Sequence, residues 1–347
     1  MKDWIGRLAL SCAAVAITLG ALEAGLRLAH APWITAWPNF VLEARRVLAD
    51  RELSRFVEDP FLGYVPRPGY AAAGLSFDKD GFRRTGGSGP GDGTGGTVLA
   101  VGDSYTYGDE VTDGETWPAH LQRLGGGRVL NAGVSGYGFD QSVLRAEKIA
   151  AGRSLDTIVV SFIADDVHRT EMSRLWGANK PYFEIAEGRL VLRNVPVPPR
   201  PEPQTTLTIW QRTLGYSFLV DFVLRRLNLL HDWFGDHVRV NGAGQGARIA
   251  CLLTGRLAEL RRNSGARVLL MAQYDPVVWQ NPTFADEQRR VTADVLRCGR
   301  EAGLEVLDTF EPLASGNPGA LYGRWHMNDA GNRRVAALVA AAIGNGN

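Results

Sequence analysis

The chain has 347 residues, 45% of them hydrophobic and 22% charged, with 38 Lys and Arg against 37 Asp and Glu. That composition supports a sizeable core in one or two domains, and the net charge of +1 excludes a broadly basic nucleic-acid footprint and an acidic disordered tail. Three cysteines (Cys12, Cys251, Cys298) are too few for a disulfide framework or a four-ligand zinc site; with Cys12 in an apolar run, at most Cys251 and Cys298 pair.

Residues 8–22 (LALSCAAVAITLGAL) carry no charge; Lys2 and Arg7 precede them, and Glu23 and Arg27 follow. That run is short of the ~20 residues of a bilayer span. Extended back through Trp4 and Ile5 and forward to Leu28 it becomes long enough, and Trp33 and Trp37 fall where interfacial aromatics belong. An uncleaved membrane anchor is the favoured reading. A cleaved signal peptide is the second, since Ala29-His30-Ala31 imitates a small-x-small site, although Pro32 is a poor residue to follow a cut. A buried amphipathic helix is the third. Either of the first two places the rest of the chain outside the cytoplasm, with the positive end inside.

Residues 38–58 are rich in helix formers and read as an amphipathic helix. DPFLGYVPRPGY and LSFDKDGFRR then read as extended pieces wrapping the main body, and the Gly-rich run 86–96 as a flexible connector and domain boundary. From Thr97 the pattern alternates. Strands are expected at 97–104, 128–133, 157–166, 267–275 and 304–310, and helices at 114–124, 139–151, 246–264, 283–302 and 328–343. Apolar strands separated by helices imply a parallel sheet covered on both faces. The alternation breaks at 169–240, a lid-like insertion with a β-hairpin turning at Glu187-Gly188. The expected organisation is an anchor or signal segment (1–31), a wrapping segment and connector (32–96), and a catalytic α/β domain (97–347).

In an open parallel sheet, ligands bind beyond the carboxyl ends of the strands. Asp103-Ser104, Gly133 with VSGYG, Asp165-Asp166 and Gln273-Tyr274-Asp275 fall there, and the loop before the last helix carries His326. One serine, one histidine and exposed glycine N–H groups on one edge make a nucleophile-plus-base set.

VLAVGDSYTYG (98–108), NAGVSGYG (131–138), FIADDV (162–167) and HMNDAG (326–331) resemble, in order and spacing, the four blocks of the SGNH/GDSL hydrolase family, and GETWP (114–118) strengthens the match. The N-terminal span, GFRR and KPYF are similar to the membrane-anchored bacterial branch. The resemblance implies a three-layer α/β/α, flavodoxin-like fold and a serine esterase without cofactor or metal. Ser104 would attack an ester carbonyl and His326 would take its proton. The N–H groups of Ser104 and Gly136 would hold the oxyanion. Its implied substrate is an O-acyl ester, as on envelope or exported polysaccharide, with the membrane as the other partner and no nucleic acid.

Two positions depart from the family pattern. Asp165 stands where the family has an oxyanion-hole Asn, and an ionised carboxylate cannot donate. Gly323 and Arg324 stand where it has the Asp that orients the histidine, and no carboxylate lies between Glu311 and His326. Three accounts remain open: a Ser104–His326 dyad, replacement of the lost carboxylate by Asp165 or Asp166, and a site that binds acylated glycan without turnover, as a scaffolding subunit would. Transfer to a sugar hydroxyl in place of water would use the same serine. Blander roles stand beside these: Ser104 as a helix cap, His326 as a surface histidine, Gly136 as a turn glycine, Asp165-Asp166 as a solvated strand end. His168 and Arg169 read as surface salt-bridge residues and His120, His231 and His237 as structural. The aromatics at 210–234 read as lid core or membrane-facing surface, and Asn131 as a loop tie.

Overall fold

The computed structural model describes residues 2–29, 38–86, 96–125, 127–200, 207–227 and 229–344. Trp33 and Trp37, the end of the signal-like Ala29-His30-Ala31 site and most of the Gly-rich connector lie outside these. The chain forms two compact units: residues 1–54 with 200–238, and residues 55–199 with 239–347. The expected insertion is therefore divided. Its first part, to 199, folds with the α/β unit, and 200–238 folds with the N-terminal segment.

The larger unit carries five strands, β1 (Thr97–Val101), β2 (Arg128–Asn131), β3 (Thr157–Phe162), β4 (Arg267–Ala272) and β5 (Glu305–Asp308). They lie in the order 2-1-3-4-5, all parallel, as in flavodoxin-like sheets. Seven helices matter for the site: α1 (Ser104–Tyr107), α2 (Trp117–Arg123), α3 (Phe139–Ala150), α4 (Ala164–Arg169), α5 (Gln245–Ser264), α6 (Pro282–Glu301) and α7 (Asp329–Gly344). Alternate strand residues bury against opposite layers, as the two-residue period of a strand requires. Leu99, Val101, Ile158, Val160, Val268 and Leu270 join one core with α3, α5 and α6. Val98, Ala100, Val159, Leu269 and Met271 join the other with α2 and α7. Three layers result, and every residue of β3 is buried, which is why its sequence is mostly apolar.

The expected strand at 157–166 stops at Phe162, because the chain turns at once into α4: Asp166 accepts the Ile163 N–H at 3.0 Å and closes that turn. The expected helix at 38–58 likewise ends at Arg55, and Phe56–Asp59 pairs antiparallel with Gly63–Pro66. The hairpin Tyr182–Ala186 with Arg189–Arg193 turns at Glu187-Gly188, where φ is 50° and 76°, as a two-residue type I′ turn demands. Cys251 on α5 and Cys298 on α6 form a disulfide, with their Cα atoms 5.3 Å apart.

In the smaller unit the helix Lys2–Ala29 contains a segment, Trp4–Ala29, whose mean hydropathy of 1.8 makes it long and apolar enough to cross a membrane. Near its end, Glu23 accepts the Phe218 and Leu219 N–H groups, each at 2.8 Å, at the start of the helix Phe218–Arg226. The Arg27 guanidinium holds both Glu23 and the Tyr216 carbonyl, each at 2.6 Å. Of the aromatics here, Trp210 is exposed and Phe234 is buried.

Candidate active site

The order of the sheet reverses at β1: β2 lies on one side and β3 on the other. Loops leaving β1 and β3 therefore part in opposite directions and open a crevice at their carboxyl ends. Asp103, fully buried, caps α1 by accepting the Tyr105 N–H at 3.0 Å. This makes Ser104 the first residue of α1 and sets its side chain at the strand's end. After β2, Asn131 Oδ1 accepts the Gly133 N–H at 3.1 Å. A Cβ on Gly133 would lie 2.2 Å from the Tyr107 nitrogen, so only glycine lets this loop press against α1. Farther along the loop, Gly136 has φ 82° and lies under the Trp176 ring, which a Cβ there would meet at 2.9 Å. Among the described residues neither the Ser104 N–H nor the Gly136 N–H has an acceptor. A buried donor without a partner is costly unless something else uses it.

The loop Tyr322–Met327, closed by a Gly323 N–H bond to the His326 carbonyl at 2.8 Å, delivers the histidine. His326 Nε2 lies 3.0 Å from Ser104 Oγ, although 222 residues separate them. Asp103 Oδ2 is the other acceptor near that hydroxyl, at 3.2 Å. On the far side of the ring, Nδ1 faces Glu110 Oε1 at 3.4 Å. The Glu110 carboxylate also accepts the Arg324 N–H at 2.8 Å and the Trp325 N–H at 3.1 Å. Partial burial pushes this carboxyl up. The Trp325 N–H, the His326 ring and the Arg324 N–H outweigh that and hold it below the ordinary glutamate range. At neutral pH an ionised Glu110 accepts from Nδ1–H, which leaves Nε2 to accept the serine proton.

The carboxylate at His326 is thus Glu110, and neither Asp165 nor Asp166. Asp166 is fully buried and bound to the Ile163 N–H and, at 2.5 Å, to Arg169. Arg169 also lies 3.7 Å from Asp103, donates to the Tyr137 carbonyl at 3.0 Å and stacks at 5.0 Å over Trp176. Expected at the surface, it is instead a well-shielded cation between two carboxylates; its side chain is 13% exposed. Asp165 is partly exposed, and among the described residues no hydrogen bond reaches its carboxylate. Its charge bears on Asp275, whose carboxyl is pushed up by burial and by Asp165, against the Val277 N–H and His326.

Two features escape sequence reasoning. Glu110 lies six residues past Ser104 at a position no motif marks; its one signal is an acidic residue just after the first block when the last block lacks its own. Arg83, from the GFRR piece, is buried. It donates to the carbonyls of Tyr107 (2.7 Å), Gly108 (2.6 Å) and Val111 (2.6 Å) and to Asp113 (2.9 Å). It thereby shapes the loop that presents Glu110.

Elsewhere, His120 is tied to Asp329 at 2.8 Å. His231, Asp236 and His237 in the smaller unit lie close enough to suggest a metal. The two imidazoles stack, however, at 4.0 Å and 3°. Lone pairs in parallel planes that far apart cannot both meet one ion at the usual ~2.1 Å.

Residues 100–334 match a family described as GDSL-like lipase/acylhydrolase. No curated protein matches the chain. Among solved structures, the chain is similar to LAE5, an alpha/beta hydrolase enzyme from the metagenome of Lake Arreo, Spain. Identity is 15% over 75% of this chain and 100% of that one, with a TM-score of 0.45. It is similar too to Axe2, an acetylxylan esterase from Geobacillus stearothermophilus, at 17% identity over 73% and 95%, TM-score 0.42. A third is a lipolytic protein of the G-D-S-L family from Veillonella parvula, at 14% identity over 71% and 96%, TM-score 0.41.

Proposed function

The chain belongs to the GDSL-like lipase/acylhydrolase family, and from that premise we propose that it is a serine esterase in which Ser104 and His326 carry out acyl transfer. The observation that carries this is the 3.0 Å approach of Ser104 Oγ to His326 Nε2; the Ser104 and Gly136 N–H groups, without an acceptor among the described residues, add to it. In the first step the Ser104 oxygen attacks the ester carbonyl carbon while its proton passes to Nε2. The carbonyl oxygen gains the negative charge, and the Ser104 and Gly136 N–H groups receive it. Collapse expels the alkoxide, which takes the proton from Nε2, and leaves an acyl-serine. Water then repeats the sequence and releases the acid. Each oxyanion donor contributes about 2.7–4 kcal/mol in enzymes of this kind.

Two further parts belong to the same proposal. The Trp4–Ala29 helix anchors the enzyme in the inner membrane and leaves the chain that follows it outside the cytoplasm. Lys2 and Arg7 at its start support that orientation, and the Cys251–Cys298 disulfide suits an oxidising compartment. The substrate is an O-acyl ester on a glycan. One indole supports it: Trp325, next to His326, with 53% of its surface exposed. It offers a flat apolar surface of the kind against which sugar rings pack.

The test is hydrolysis of p-nitrophenyl acetate by the full chain in detergent, with Ser104→Ala alongside. Turnover that vanishes in the variant is expected; equal turnover in both proteins would remove the esterase.

A further inference from the structure

In the family the residue three places before the histidine is an Asp that orients the ring, and here it is Gly323. A Cβ built on Gly323 would lie 2.6 Å from Glu110 Oε2. The carboxylate of Glu110 therefore fills the volume into which a side chain at 323 would grow. It reaches that volume from the other side of the site, 216 residues away in sequence from His326. We infer that the orienting acid of this enzyme has moved from the histidine loop to the loop that follows the nucleophile block, with Glu110 as the positioning residue for His326 and Gly323 as the gap that admits it.

Three independent features fit the exchange. Glu110 has φ 70°, a left-handed conformation that a non-glycine residue adopts at a cost. A residue held in such a conformation by its surroundings points to a use for its side chain. Next, Gly323 is not among the left-handed glycines, so its backbone does not require glycine; only the space does. Finally, the two N–H groups that lead into the histidine, at Arg324 and Trp325, both point at the Glu110 carboxylate. The loop is thereby pinned to the acid as well as the ring. In the reaction, Glu110 holds Nδ1–H so that Nε2 faces Ser104, and it stabilises the imidazolium that forms when the serine proton arrives. The inference rests on the proposed Ser104–His326 esterase.

The test is a cycle of Glu110→Ala, Gly323→Asp and the double variant, with Ser104→Ala as the null, each as the full chain. Glu110→Ala should lower kcat by about 10²–10⁴-fold with little change in KM. Gly323→Asp alone should also lose activity, because two carboxylates then compete for one volume. Combined, the same Gly323→Asp should raise kcat at least tenfold over Glu110→Ala, a reversal of sign that a purely structural role does not produce. Glu110→Ala with wild-type kcat, or Gly323→Asp harmful in both backgrounds, overturns the inference while Ser104→Ala stays dead. Ser104→Ala with full activity overturns the esterase itself, and the inference with it.

Discussion

Arg83→Met tests how the site is held. The substitution keeps an apolar stem of similar length and removes the guanidinium, whose side chain is only 2% exposed. Three backbone carbonyls and the Asp113 carboxylate lose a donor at 2.6–2.9 Å. A hydrogen bond from a charged donor contributes about 1.5–3 kcal/mol; Asp113 keeps its two Ser76 donors, Tyr107 the Asn131 amide and Gly108 the Val111 N–H, so the net loss comes to about 3–5 kcal/mol. In a domain of this size each kcal/mol moves the melting point by about 2–4 °C, so a fall of roughly 10 °C is expected by calorimetry. The second readout is kcat well below the melt. Arg83 binds carbonyls on both sides of residues 109 and 110, so freeing that stretch should misplace Glu110 and lower kcat more than it raises KM. Arg83→Lys should rescue little, because one ammonium cannot reproduce the planar fork. A melting point within 2 °C of wild type, with kcat unchanged, would refute this account of Arg83.

Asp165 offers a contrasting test. Among the described residues its carboxylate has no donor, and it stands where the family places an amide. Asp165→Asn should therefore raise kcat on p-nitrophenyl acetate, and Asp165→Ala should raise it less, because only the amide can donate to the oxyanion. A fall in kcat for both would show that the charge is used. The pair Asp103 and Asp166 gives a pH dependence. Burial, and then the Asp103 charge, push the Asp166 carboxyl well above the ordinary 3.8, more than Arg169 and the Ile163 N–H pull it down. The native state then keeps a proton that the unfolded chain has released, so this carboxyl's contribution to stability is present at low pH and declines as pH rises above about 4. Asp166→Asn should flatten that decline in urea midpoints measured from pH 4 to 8; a steeper decline would contradict it.

The strands were legible because β1, β3 and β4 are buried on both faces and so read as nearly continuous apolar runs. Their ends were less so. The run at 157–166 looks like one strand, yet the Asp166 side chain turns the chain after Phe162, and no hydropathy pattern carries that hydrogen bond. Ser104 and His326 stood out because each lies in a compact motif at a strand end or helix start. Glu110 did not, for its partner is distant in sequence and its own position follows no spacing rule. Arg169 reads as a surface salt-bridge residue and Arg83 only as part of an extended wrapping piece, because their acceptors are backbone carbonyls and carboxylates assembled only by the fold. The aromatic stretch at 210–234 proved mixed, with Trp210 exposed and Phe234 buried, as its irregular spacing allows.

The most direct measurement is covalent trapping of the serine. The full chain, treated with a fluorophosphonate and digested, should show the phosphonyl mass on the peptide containing Ser104. Modification should be slowed at least a hundredfold in His326→Ala and absent in Ser104→Ala. Failure of the wild type to react, or equal modification of all three proteins at another residue, would show that this hydroxyl and imidazole do not act together as nucleophile and base.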